Sequence, residues 1–394
     1  APARDPGFDN AKVIFIFFVV LWHMVPRSVA TDYYCQRSCN AAWGGSTRQA
    51  VAGYWLWHQL LAVPGFTFLS GYFAKGWPLR AHEDATRADG RYRDAITSLA
   101  AGAVMLQLMI EATRVVLHTA GFSATPAPPA SLDLWESVYT WYLVALLLWR
   151  LLTPIIMQFR RPLLVSFVCA VASAHASTGD GPQDVRIRVL HFFPFYVAGL
   201  LCRDELIGGS ASAPAGALPL LHGKQGITVA AAGVLVTLAL CIGLHTDHRN
   251  GMLQGYYIGV WSVEPHLWLG IKYVISFVEL SCVIRLCRTT STKLLPGGHG
   301  HSTLAIYGFH WMFADVYNGK WPFVQDKWTS ARSPAHAVLA ELPPIPALIL
   351  SHLVVYLVCL LLGQKALWRV VRHVSNPSCS WLLKERAIAP PMNE

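Results

Sequence analysis

The sequence predicts an all-α protein, a polytopic transmembrane bundle of about ten helices. Of its 394 residues, 54% are hydrophobic and only 13% are charged, and the mean hydropathy is +0.39. A soluble domain carries about 25% charged residues, so one large soluble core does not account for this composition. Long apolar runs recur along the chain, each near the length that crosses a bilayer.

These apolar runs, separated by polar or Gly/Pro-rich loops, give the predicted spans. We expect them at about 11–30, 50–73, 95–117, 134–157, 163–176, 191–202, 227–244, 267–286, 302–316 and 345–362. Several are short or contain Gly and Pro, so a count of eight to twelve is compatible with the pattern. No internal repeat stands out, which gives no support to an inverted-repeat transporter.

Basic residues concentrate in alternate loops and near the C-terminus, and the net charge is +9. With ten spans both termini lie on one side, and the positive-inside rule places both in the cytoplasm. The bilayer and a phosphorylated small molecule are therefore better partners for these charges than nucleic acid, which we do not expect. The membrane domain is predicted over 8–364, followed by a basic cytoplasmic tail over 365–394.

The cysteine and histidine spacings predict no metal site. The nine cysteines form no CxxC pair and have no zinc-ligand spacing with histidine. Cys35 and Cys39 lie in a polar loop and form a disulfide only if that loop faces an oxidising compartment, and both states stay open. His245, Asp247 and His248 resemble a ligand set, but between two spans a solvated polar loop is the expected interpretation.

The first span carries the strongest functional pattern. Asp9 and Lys12 begin it, ten uncharged residues follow, and His23 comes next. Lys12 and His23 are therefore about 16 Å apart along a helix axis. An ionisable side chain inside a membrane is expensive, which makes His23 a candidate for proton transfer to and from a hydroxyl. The ordinary alternatives are an interfacial hydrogen bond for His23 and an inner-face anchor for Lys12.

Further candidates lie in later spans. Ser70 either donates a hydrogen bond at the site or makes a helix-breaking turn with Gly71 that allows close packing. Arg150 is a cation within a span, suited to phosphate, although an anchor at the inner face is its alternative. His310 meets the same burial argument as His23 and either lines a pocket or makes a structural hydrogen bond.

These stretches together resemble the acyltransferase 3 family, membrane proteins of about ten spans that acylate sugars of surface polysaccharides. Lys12 and His23 match the family pattern of Arg or Lys, ten residues, then His. The run 64–73, PGFTFLSGYF, is similar to the family's second landmark, and 140–154, 191–201 and 304–313 resemble later spans. The fucose 4-O-acetylase-like branch is the most similar. The W-S-x-x-x-E segment that other branches carry after span three is missing.

The resemblance implies a cytoplasmic acyl-CoA, mostly acetyl-CoA, as co-substrate, with no bound cofactor, and a carbohydrate hydroxyl as acceptor. His23 would be the general base, or in a variant mechanism the nucleophile that forms an acyl-histidine intermediate. Lys12 would attract the phosphates of CoA. Substrate-binding roles are expected for Asp9, Ser70, Arg150 and His310. The alternative class is a transporter or flippase that uses buried His23, His310 and Glu111 as a proton or substrate path. A family member that has lost catalysis is a third possibility.

Overall fold

The computed structural model describes most of the predicted spans and few of the loops. It covers residues 6–24, 45–74, 85–119, 141–176, 185–202, 223–247, 263–289, 294, 303–317, 344–367, 369 and 371. These residues are helical with short turns and contain no strand, so the predicted all-α class is confirmed. The helices are α1 Pro6–Met24, α2 Gly45–Phe73, α3 Ala85–Thr119, α4 Trp141–Ile156, α5 Pro162–Ala176, α6 Val185–Leu201, α7 Gly223–Asp247, α8 Val263–Arg288, α9 Thr303–Tyr317 and α10 Pro344–Leu362.

The helix bounds follow the apolar runs closely except where a helix begins in polar sequence. α3 begins at Ala85, ten residues before the predicted span, and α6 begins at Val185 rather than near 191. Both extensions contain several charged residues, so hydropathy alone does not detect them. The predicted start of α2 near residue 50 is also late, since the helix begins at Gly45.

Three of the described helices are long and apolar enough to cross a membrane, by length and composition. They are Pro6–Met24, Ile96–Thr113 within α3 and Gln225–Gly243 within α7. Four shorter apolar helices accompany them, at Trp141–Ile156, Pro162–Ser173, Val189–Leu201 and Leu348–Leu362. A crossing by about ten helices, and the side on which the termini lie, stay predictions.

α1 is the central helix of the described bundle. It packs against α2, α8, α9 and α10. Phe15, Ile16, Val20 and Leu21 on it are almost completely buried. A helix that is apolar on all sides needs such an enclosed position. α7 differs, because its apolar side chains such as Leu235 are largely exposed, as on a helix that faces lipid.

α1 and α2 run antiparallel. Phe8 near the start of α1 stacks on Tyr72 near the end of α2, with 4.6 Å between ring centroids. Phe18 near the end of α1 meets Trp57 in the first half of α2, at 5.6 Å. The start of α1 and the last turn of α2 therefore share one end of the bundle.

Two glycines bring α2 and α6 into backbone contact. A Cβ atom on Gly71 would meet the carbonyl of Tyr196, and one on Gly199 would meet the carbonyl of Phe68. Small residues at helix interfaces allow this close approach in membranes, where packing supplies much of the association energy. This contact fixes the last turn of α2, which carries Ser70, against α6.

Candidate functional site

The N-terminal end of α1 holds two cations against aromatic rings. The Nζ atom of Lys12 lies 3.9 Å from the centroid of Phe73, and the guanidinium carbon of Arg288 lies 5.3 Å from that of Phe8. Such contacts contribute about 0.5–2 kcal/mol each. We call Lys12, Arg288, Phe8 and Phe73 the cation cluster. It is built by the start of α1, the last turn of α2 and the last turn of α8.

Close packing and a loop contact fix this end. Gly7 lies against Arg288, because a Cβ atom there would come within 2.6 Å of the Arg288 Cα. The side-chain oxygen Oδ1 of Asn10 accepts a hydrogen bond of 3.0 Å from the backbone N–H of Leu294. Asp9 is buried, with 7% of its surface exposed, in the first turn of α1. An acidic residue in the first turn of a helix interacts favourably with the helix dipole.

The C-terminal end of α1 carries His23 beside His310 of α9. The centroids of the two rings are 5.0 Å apart and their planes are inclined by 47°. His23 is half-buried, whereas His310 is 1% exposed. We call these two residues the imidazole pair. The two histidines that the sequence singled out separately are therefore neighbours.

The protonation of His310 follows from its surroundings. Its Nδ1 atom lies 2.7 Å from the carbonyl oxygen of Tyr307 and 3.2 Å from that of Ile306. A nitrogen that faces two carbonyl oxygens carries the proton and donates it. In the neutral ring the Nε2 atom is then the acceptor.

A row of hydroxyl-bearing side chains connects the level of the cation cluster to the imidazole pair. The hydroxyls of Ser70 and Tyr142 are hydrogen-bonded at 2.9 Å. The ring of Tyr142 lies 5.9 Å from that of Tyr307, which lies 6.1 Å from the ring of His310. We call Ser70, Tyr142 and Tyr307 the hydroxyl ladder. Ser70 is one helical turn from Phe73 of the cation cluster, whereas His310 lies near the opposite end of α1. The hydroxyl ladder therefore runs alongside α1.

The helix-breaking turn proposed for Ser70 and Gly71 is wrong. α2 continues through both residues to Phe73. The close packing expected of Gly71 is present, since it lies against the carbonyl of Tyr196. The backbone stays helical through this last turn, and the Ser70 hydroxyl bonds to Tyr142.

Arg150 lies toward the end of the bundle that carries the cation cluster, not toward the end that carries His23. It is half-buried on α4, and its guanidinium is close to the phenol of Tyr196, whose carbonyl packs on Gly71. The Tyr92 hydroxyl donates a 3.0 Å hydrogen bond to the Arg150 carbonyl. Burial raises the pKa of the Tyr92 phenol, and the charge of Arg150 acts in the opposite direction.

Several residues of this arrangement were not identified from the sequence. Tyr142, Tyr307 and Arg288 carry no pattern that distinguishes them from other aromatic or loop-flanking residues. Lys272 and Glu279 of α8 are 1% and 0% exposed. The sequence could have identified these two, because both are ionisable residues inside a predicted span. Among the residues that the structure describes, neither carboxylate oxygen of Glu279 has a hydrogen-bond partner, and Lys272 is close to His191.

Other predictions fall elsewhere. Cys35 and Cys39 lie outside the described residues, as do His248 and most of the tail. His245 and Asp247 belong to the last turn of α7, so their assignment to a loop is wrong. Within the described part of the chain no group of three His, Cys, Asp or Glu side chains could hold a metal ion. Glu111 accepts a 2.8 Å hydrogen bond from Gln107 of the same helix.

Comparisons of the chain with protein-family models, with curated proteins and with solved structures give no match. The cation cluster, the hydroxyl ladder and the imidazole pair are therefore the basis on which a function can be assigned.

Proposed function

We propose that the protein is an integral-membrane O-acyltransferase. It moves an acyl group, most simply acetyl, from cytoplasmic acyl-CoA to a hydroxyl of a carbohydrate acceptor. The observation that carries this proposal is the imidazole pair. The ring centroids of half-buried His23 and buried His310 are 5.0 Å apart, at the opposite end of α1 from Lys12. An imidazole that is enclosed on one side and accessible on the other suits general base catalysis.

The chemistry needs one group that accepts a proton from the acceptor hydroxyl and then donates it to the leaving thiolate. His23 takes the proton of the acceptor hydroxyl while the hydroxyl oxygen attacks the thioester carbonyl carbon. The carbon–sulfur bond then breaks, the acyl group stays on the acceptor oxygen, and the CoA thiolate takes the proton from the His23 imidazolium. The imidazole returns to its neutral state, so the residue serves as base and then as acid.

The cation cluster supports the donor assignment. The CoA phosphates need cations, and Lys12 and Arg288 share one end of the bundle while Arg150 lies toward the same end. A cation above a ring keeps N–H groups that can bond an anion from the other side. α1 is continuous from Pro6 to Met24, so Lys12 and His23 stay about 16 Å apart, and the long pantetheine arm of CoA is suited to that distance.

The test is release of free CoA from acetyl-CoA in membranes that contain the protein, with and without a crude glycan fraction. We expect glycan-stimulated release that falls at least about 100-fold in His23→Ala, because the base is lost. His352→Ala is the matched control, since His352 is also a helix histidine but bonds Tyr54 and the Leu348 carbonyl instead. Unchanged release from folded His23→Ala would overturn the proposal.

A transporter or flippase is the second candidate, and the observation that favours it is the burial of Lys272 and Glu279. Buried ionisable groups in a membrane helix often mark a proton or substrate path. Such a protein would need no thioester and would respond to a gradient. Gradient-driven uptake into vesicles that Glu279→Gln abolishes, with His23→Ala as active as wild type, would favour this class.

A further inference from the structure

Glu279 of α8 is a buried carboxyl group that makes no hydrogen bond within the described part of the chain. Its side chain is 0% exposed, and neither of its two oxygens has a partner there. An ionised carboxylate that is enclosed without a partner is very costly, and such a group takes up a proton instead. The surroundings of Glu279 therefore favour the neutral carboxylic acid.

No counter-charge compensates Glu279 among the residues that the structure describes. Lys272 is two helical turns earlier, about 10 Å along the axis, and it is close to His191 of α6. The titratable groups that lie close to Glu279 are the thiols of Cys241 on α7 and Cys282 on α8. α1 and α2 also pack on α8, but no charged group of their described residues acts on Glu279. A thiol is only a weak hydrogen-bond donor, so these neighbours do not stabilise a carboxylate.

The ligand that fits this site is a proton rather than a metal ion. Hard cations are held by several oxygen ligands, whereas the titratable neighbours of Glu279 are sulfur atoms. Softer metal ions need a group of His, Cys, Asp or Glu side chains, and the described residues contain no such group of three or more. A single carboxyl group is sufficient for a proton.

Two further polar side chains lie on the same face of α8. Ser276 is three residues before Glu279 and four after Lys272, and residues at these spacings are neighbours on a helix. All three side chains are at most 1% exposed. The opposite face of the helix is apolar and turned outward, since Val274 and Val278 are 64% and 45% exposed. The three polar groups therefore form a line inside the bundle.

We propose that Glu279 is a proton-binding site, and that its proton exchanges with water along the buried face of α8 that Ser276 and Lys272 share. The site goes beyond the proposed acyl transfer, and it lies on a different helix from the two members of the imidazole pair. Stability does not account for it, because a buried carboxyl group without a hydrogen bond lowers stability. A carboxyl group that binds and releases a proton inside a membrane makes the protein responsive to a proton gradient.

Infrared difference spectroscopy of the full-length protein in detergent tests the protonation state. Subtracting the spectrum of Glu279→Gln from that of wild type at neutral pH isolates this one side chain. We expect the carbonyl-stretch band of a protonated carboxylic acid, and we expect it to persist when sodium chloride replaces choline chloride. Carboxylate bands in place of the acid band would overturn the proposal. Loss of the acid band in sodium would also overturn it, because the ligand would then be a cation.

The rate of hydrogen exchange tests the route. Transfer to heavy water shifts the acid band as the proton is replaced by deuterium. We expect exchange to be about ten-fold slower in Ser276→Ala, because one hydroxyl is removed from the line of polar groups. Ser281→Ala is the matched control, since Ser281 is exposed on the same helix and bonds the Phe277 carbonyl, and it should exchange at the wild-type rate. A band that does not shift would overturn the proposal, and equal rates in Ser276→Ala and wild type would overturn the route.

Thermal stability in detergent separates a proton site from a structural role. Glu279→Leu should melt at or above the wild-type temperature, because it removes a polar group that has no hydrogen bond in the described residues. Glu111→Leu is the matched control and should melt lower, since Gln107 loses its 2.8 Å hydrogen bond to Glu111. A fall for Glu279→Leu as large as that for Glu111→Leu would overturn the proposal. None of these measurements uses an acyl donor, so failure of the acyltransferase proposal would leave their outcomes unchanged.

Discussion

The two ends of α1 hold ionisable side chains in opposite ways. At the start of the helix, Lys12 and Arg288 are placed against the faces of Phe73 and Phe8. At its end, His23 lies against another imidazole, His310, whose own donor is already used. One end keeps charged groups beside ring faces, and the other end brings two imidazole rings together.

This difference suggests a division of labour along a single helix. A cation over a ring retains attraction for an anion, so the cation cluster is suited to binding. An imidazole is suited to moving a proton. Substitutions at the two ends should accordingly change different quantities.

The largest effect is expected from disturbing the contact that holds the last turn of α2 against α6. Gly71→Ala places a Cβ atom against the carbonyl of Tyr196, and a backbone atom cannot move aside cheaply. We expect a loss of about 3 kcal/mol or more in stability, measured as a fall in the melting temperature in detergent. Gly270→Ala is the control, because no described atom beyond its own stretch of helix lies within 4 Å of its Cβ position, and it should change stability by at most about 1 kcal/mol. Equal melting temperatures for the two variants would contradict the close contact.

Removing the charge of Lys12 tests whether the cation cluster binds the donor. In Lys12→Gln we expect KM for acetyl-CoA to rise about ten-fold while kcat changes little, because a uniform binding contact is lost. Lys12→Arg keeps the charge and should stay within a few-fold of wild type. A fall in kcat with KM unchanged would instead assign Lys12 to the chemistry, and the division between the two ends would be wrong.

Removing the ring beneath Lys12 tests how much the cation–π contact contributes to stability. Phe73→Leu loses the cation–π contact, and the expected cost is about 1 kcal/mol. A double-mutant cycle with Lys12→Gln isolates the pair, with stability in detergent as the measured quantity. Phe159→Leu is the control, since Phe159 is 48% exposed in the turn between α4 and α5. A coupling energy near zero would show that the ring and the ammonium group do not interact.

The smallest effect is expected in the hydroxyl ladder. Ser70→Ala and Tyr142→Phe each remove one partner of the 2.9 Å hydrogen bond. Each should lower stability by about 1 kcal/mol, and the double variant should lower it by less than the two single effects combined. Chemical denaturation of the purified protein measures all three. Strictly additive effects would contradict a bond between these hydroxyls.

The parts of this arrangement that the sequence predicts are local ones. The separation of Lys12 and His23 follows from the helix rise once an apolar run has been recognised. The apolar parts of the helices follow from hydropathy, whereas the polar start of α3 at Ala85 does not. Lys272 and Glu279 were within reach of the same argument that selected His23, because both are ionisable residues inside a predicted span.

The neighbours in space could not be predicted in this way. Nothing in the sequence places His310 beside His23, or Arg288 over Phe8, since these contacts join distant parts of the chain. They depend on how α8 and α9 pack on α1, and helix packing is set by side-chain shapes on several helices at once. The hydrogen bond between Ser70 and Tyr142 also joins two different helices, so it could not be predicted in this way either.

The continuity of α1 makes it a molecular ruler. Neither Gly nor Pro occurs between Lys12 and His23, so this segment has no site at which the helix readily bends or shortens. A donor whose anionic group and reactive carbon are much closer than about 16 Å cannot engage both ends at once. Selection among thioesters would then depend on the length of the arm as well as on the identity of the acyl group.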